Sequence, residues 1–98
     1  MRLALIDSGD LAQQLAHYVR TYEKEVEITG FVDDFAVKGE EKFGLLCIGT
    51  VTDILYLHAY GQFDKVILGI GYKHQGVRQK LFENLYPTVP FYTSICFH

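Results

Sequence analysis

The chain has 98 residues, room for one domain, and its composition is ordinary for a globular protein: 49% hydrophobic, 21% charged, 9 Gly and 2 Pro. That argues against disordered, collagen-like and low-complexity classes. A formal net charge of −3 argues against a basic nucleic-acid face, and no apolar stretch approaches the roughly 20 residues of a membrane helix. The N-terminal run Met1-Arg2-Leu3-Ala4-Leu5-Ile6-Asp7 lacks the features of a signal peptide. Cys47 and Cys96 are too few for a disulfide framework or a zinc site. The expectation is a cytoplasmic protein with reduced thiols, bound to neither nucleic acid nor membrane.

Arg2 to Ile6 is an apolar run bounded by Asp7-Ser8-Gly9, which predicts a buried strand and a tight turn. Leu11, Ala12, Leu15, Ala16, Val19 and Tyr22 follow at helical spacing, with Ser8 or Asp10 as the expected cap and His17 and Arg20 on the outer face. Val26 to Val32 reads as a second strand, ending in Asp33-Asp34. The charged stretch Lys38-Gly39-Glu40-Glu41-Lys42 reads as a solvated loop. Leu45 to Ile48 is a third strand, followed by a helix over Asp53 to Tyr60 capped by Thr50 or Thr52. Asp64 to Ile70 is a fourth strand, and a helix follows over Gln75 to Tyr86 with Val77, Leu81, Phe82 and Leu85 on one face. Pro87 and Pro90 interrupt the chain before a fifth strand over Phe91 to Ile95.

Near-continuous apolar strands joined by helical crossovers predict an α/β fold. The sheet is expected to be small, parallel and Rossmann-like, in strand order 3-2-1-4-5, with helices on both faces. The apolar end, Ile95-Cys96-Phe97-His98, suggests a piece of a longer chain.

In such a sheet ligands bind beyond the carboxyl ends of the strands, where the strand order reverses. Asp7-Ser8-Gly9-Asp10 and Gly69-Ile70-Gly71-Tyr72-Lys73 are expected there, with Asp33-Asp34 next door. Against the dinucleotide pattern G-x-G-x-x-G, the first turn keeps Gly9 and the permitted Ala12 but has Asp7 at the first glycine. Asp33 and Asp34 follow the strand where such folds place a ribose-binding acid. Lys73 is suited to a phosphate as a point charge. Two carboxylates beside a helix N-terminus suit the helix dipole yet repel a phosphate. The four histidines, His17, His58, His74 and His98, show no metal-ligand spacing. Ser8 and Ser94 have no partnered His or Asp legible in sequence. The tyrosines at 18, 22, 56, 60 and 86 read as core or interface.

The runs Leu3 to Ala12, Gly30-Phe31-Val32-Asp33-Asp34, Gly44-Leu45-Leu46-Cys47-Ile48-Gly49 and Val66-Ile67-Leu68-Gly69-Ile70-Gly71, with Arg78, together carry a resemblance. They resemble the N-terminal domain of bacterial sugar O-acyl- and N-acetyltransferases, the sialic-acid O-acetyltransferase and UDP-bacillosamine type. The resemblance spans almost the whole chain. It implies a Rossmann-like domain that binds a nucleotide-sugar, commonly UDP-linked, for surface-glycan synthesis. In that family a separate β-helix binds acetyl-CoA, forms a trimer and carries the catalytic His; no hexapeptide repeat is found in these 98 residues.

The resemblance therefore implies a chain that binds without catalysing and holds no cofactor of its own. It implies Ser8, Gly9 and Asp10 in the glycine-rich turn and Asp33 and Asp34 at the nucleoside. It likewise implies Gly71, Tyr72 and Lys73 in the loop after the fourth strand, with Arg78 as a basic position. The family's Gly-x-Gly-Gly-His turn is altered here, with Asp7, Asp10 and Leu11 replacing two glycines and the histidine. Two other readings stay open: a non-enzymatic interaction or regulatory module with a degenerate ligand site, self-associating as a homo-oligomer, and a fragment of an NAD- or CoA-binding protein. A receiver domain is set aside, because it needs acids after the first and third strands.

Overall fold

Leu3, Leu5, Phe31, Leu45, Cys47 and Ile67 point to one side of a sheet; Ala4, Ile6, Val32 and Val66 point to the other. This period-two alternation, apolar on both faces, is what a strand covered on both sides requires. A computed structural model describes residues 1–69, 75–86 and 88–92 of the chain. Its strands are β1 (Arg2–Ile6), β2 (Glu27–Val32), β3 (Glu41–Lys42), β4 (Leu45–Gly49) and β5 (Lys65–Leu68). Its helices are α1 (Asp10–Tyr22), α2 (Ile54–Ala59) and α3 (Gln75–Leu85), and a 3-10 turn at Val51–Asp53 leads into α2. The result is a mixed α/β fold.

The sheet runs β3-β4-β2-β1-β5, with β4, β2, β1 and β5 parallel and β3 antiparallel to β4. The expected order of 3-2-1-4-5 corresponds to β4-β2-β1-β5 followed by a fifth strand, and the structure departs from it at the β4 edge, where a further strand joins. The extra strand is β3, which lies within the stretch read as a solvated loop. Phe43 and Gly44 both have positive φ (41° and 79°), forming the two-residue connection that folds Glu41-Lys42 back onto Leu45-Leu46. Arg20 donates to the carbonyls of Phe43 (3.0 Å) and Gly44 (3.4 Å), and the Phe31 and Phe43 rings stack at 5.8 Å. A β-hairpin led by charged residues escapes a reading that looks for apolar alternation. At the other edge, Phe91 makes a single parallel bridge to Val66, and the rest of the expected fifth strand, Thr93 to Ile95, lies outside the described residues.

α1 covers one face with Ala12, Leu15, Ala16 and Val19, as its spacing predicts. Ile54, Leu57, Phe63, Leu85 and Val89 cover the other. Phe82, expected on the inner face of α3, is 44% exposed; its ring stacks on Tyr86 (4.9 Å) and meets Phe91 at a tilt (5.2 Å). Tyr22, Tyr56, Tyr60 and Tyr86 are exposed rather than core. Among the described residues, no helix is long and apolar enough to cross a membrane.

Register brings the strand ends level. Ile6 pairs with Val32 and with Leu68, and Val32 with Gly49. The next residues, Asp7, Asp33 and Gly69, therefore leave the sheet side by side. Each donates its amide to the end of the neighbouring strand: Asp7 to Val32 O (2.8 Å), Asp33 to Gly49 O (3.1 Å) and Gly69 to Ile6 O (2.9 Å).

Candidate ligand site at the strand ends

The turn from β1 into α1 reverses over three residues, and Asp7 carries the conformational load with φ of 86°. That left-handed conformation is costly for a residue with a Cβ, least so for Asp and Asn. The first glycine of the dinucleotide pattern would suit this position. Gly9, the glycine that the sequence retains, has φ of −79°, and an added Cβ would meet only Asp7 Oδ2 at 3.6 Å. The demand for glycine thus falls on Asp7. A second close approach lies at Gly69, where a Cβ would stand 2.6 Å from Ala12 Cβ and 2.9 Å from Ile6 O. The end of β5 and the first turn of α1 meet there with only the Ala12 methyl between them.

Gly9, not Ser8 or Asp10, is the N-cap of α1, and no side chain caps it. Asp10 is exposed in the first turn. Ser8 is buried and turned toward β2, where its hydroxyl donates to Asp33 Oδ2. Its amide donates to Asp7 Oδ1 (2.8 Å). Asp33 is buried as well and accepts the Phe35 amide at Oδ1 (2.8 Å). Burial pushes the Asp33 carboxyl up, but the hydrogen bonds from the Ser8 hydroxyl and the Phe35 amide and the charge of Lys42 outweigh it. The carboxyl is held below its ordinary 3.8, so it is ionised at neutral pH.

The structure separates the expected acidic pair. Asp33 faces the β1–α1 turn, whereas Asp34 is exposed and accepts the Val51 amide (2.9 Å) at the start of the 3-10 turn. Asp34 is thus engaged as a helix cap. Lys42, a residue sequence reasoning assigned to solvent, reaches into the site from β3: its Nζ lies 3.2 Å from Ser8 Oγ and 3.7 Å from Glu40 Oε2. No spacing in the sequence announces this contact between residues 34 apart; a two-residue turn recognised at Phe43-Gly44 would have been the signal.

Ser8, Gly9 and Asp33 are therefore brought together, with Asp10 at the rim. Gly71, Tyr72 and Lys73 lie outside the described residues, as do His74, Ser94, Cys96 and His98. Arg78 falls on α3, and its side chain is likewise outside them. Among the described residues no group of three or more His, Cys, Asp or Glu could hold a metal. A cavity of about 440 Å³ opens elsewhere, between β4 and α2, lined by Lys38, Leu46, Ile48, Tyr56, Tyr60 and Gln62 among others. None of the strand-end residues lines it.

No protein-family model matches this chain, and no curated protein does so either.

Proposed function

We propose that the chain is a nucleotide-sugar-binding domain, the substrate-holding part of a sugar acetyltransferase. The acyl-CoA-binding β-helix that would perform the transfer lies outside these 98 residues. The order β4-β2-β1-β5 supports a Rossmann-like reading, because the chain leaves β1 toward β2 on one side and returns at β5 on the other. Ligands of open parallel sheets lie beyond the strand ends at that reversal. The observation that carries the proposal is Asp33: a buried, ionised carboxylate at the end of β2, fixed by Ser8 beside the first turn of α1. It has acceptor capacity for a ribose hydroxyl beyond its Ser8 and Phe35 bonds. The uncapped amides of the first turn of α1 face the same end and suit a diphosphate. The role is recognition, with UDP-linked sugars as the class to test.

Competition between UDP, NAD and CoA for the chain tests this reading. UDP binding lost on Asp33→Asn, in a protein that still folds, is the expected result. Binding of NAD or CoA in preference to UDP would redirect the assignment to another dinucleotide class.

A second reading, a non-enzymatic interaction module, is favoured by one observation: Leu46, Tyr56 and Tyr60 stand exposed around the β4–α2 cavity. It requires a folded protein that ignores all three nucleotides and self-associates as its concentration rises. A strict monomer on sizing chromatography would count against it.

A further inference from the structure

We infer that Lys42 is the cation that meets the phosphates of the ligand in this site, and that the β3–β4 hairpin exists to deliver it; the inference rests on the nucleotide-sugar reading above. The strand ends are strongly acidic, with Asp7, Asp10 and Asp33 around the β1–α1 turn and Asp34 nearby. A diphosphate placed there needs a positive charge close by. Arg20 is engaged at the hairpin turn, on Phe43 and Gly44. Lys42 stands at the site itself, 3.2 Å from Ser8 Oγ, with its side chain still 37% exposed.

The hairpin holds Lys42 in place by several independent contacts. Gly39 and Glu40 bond to Cys47 through their backbones (2.9 and 2.8 Å), Arg20 grips the turn, and the Phe43 ring lies on Phe31. A solvated loop would need none of these. The ammonium bonds to a neutral hydroxyl and a rim carboxylate at 3.7 Å, both of which can be exchanged for phosphate oxygens. A lysine ammonium, compact and on a flexible stem, is suited to such an exchange.

Titration calorimetry with UDP and with uridine, on the wild-type chain and on Lys42→Gln, tests the inference. UDP affinity is expected to fall about tenfold, the scale of one charge-assisted contact, while uridine affinity is unchanged. Lys42→Arg is expected to recover most of the loss, and Lys38→Gln, on the same segment but beside the other cavity, to cause none. Equal weakening of UDP and uridine would overturn the phosphate contact and make Lys42 a positioning residue for Asp33. Unchanged UDP affinity in Lys42→Gln would overturn the inference while leaving the nucleotide-sugar reading intact. A wild-type chain that binds neither compound would overturn both. A urea midpoint for each variant checks that the fold is retained.

Discussion

Two turns leave the same end of the sheet and enter helices on opposite faces, and they are built differently. After β4, the 3-10 turn is closed by side chains. Asp34 takes the Val51 amide, and Asp53 accepts both the amide (2.9 Å) and the hydroxyl (3.1 Å) of Thr50. After β1, the helix start is left without a side-chain cap, a strained Asp7 sets the reversal, and the buried hydroxyl of Ser8 bonds across to β2 instead. A missing cap typically costs about 1 kcal/mol. Departures of this kind concentrate where a site is built, which supports the proposal that the first turn, and not the second, is the ligand end.

The contrast can be broken by mutation, and the largest effects are expected in the open turn. Gly69→Ala forces a Cβ to within 2.6 Å of Ala12, so the start of α1 must move. A loss of about 2–3 kcal/mol in urea unfolding is expected, the upper range for overpacking. Asp33→Ala removes the acceptor for Ser8 and Phe35; a loss of about 2 kcal/mol is expected, with UDP affinity down at least about tenfold. An Asp33 variant as stable as wild type would mean that the buried carboxylate anchors nothing.

The Asp33 charge also gives a pH signature. Its carboxyl is depressed in the folded state, so its contribution to stability is full above the unfolded value, near 3.8, and is lost as pH falls through the lower folded value. The stability gap between wild type and Asp33→Asn should therefore be constant from neutral pH to about pH 5 and narrow below about pH 4. A gap that widens on acidification would reverse the assigned direction.

Smaller effects sharpen the comparison. Asp7→Gly relieves the positive φ and removes a carboxylate from the turn, against the loss of the bond to the Ser8 amide. A net gain of about 0.5 kcal/mol is expected, with UDP bound more tightly. Asp34→Ala removes a cap from the closed turn; a loss of about 0.5–1 kcal/mol is expected with UDP affinity unchanged. If Asp34→Ala weakened UDP as much as Asp33→Ala, the two turns would not differ in function.

The elements legible in sequence are those whose apolar residues repeat at the period of a helix or strand: β1, β2, β4, β5 and the inner face of α1. What escaped depends on contacts between distant residues. β3 carries Glu41 and Lys42, so no hydrophobic pattern marks it; the positive φ values at Phe43 and Gly44, the Arg20 bonds to their carbonyls and the Phe43 ring on Phe31 fold it back. Asp33 and Asp34 look identical in sequence; register and burial alone turn one toward Ser8 and the other toward Val51. Ser8 looks like a cap for α1 until Asp33 is seen beside it, since a hydroxyl takes whichever strong acceptor packing provides. Phe82 shows the same limit in an apolar residue: helical spacing assigned it inward, and pairing with Tyr86 and Phe91 keeps it at the surface.

The most direct test of the account is calorimetric titration of the wild-type chain, Asp33→Asn and Asp34→Ala with UDP. Saturable binding by the wild type and Asp34→Ala is expected, with a loss of at least about tenfold in Asp33→Asn. A folded wild-type chain that takes up no UDP, or equal binding by all three proteins, would contradict it.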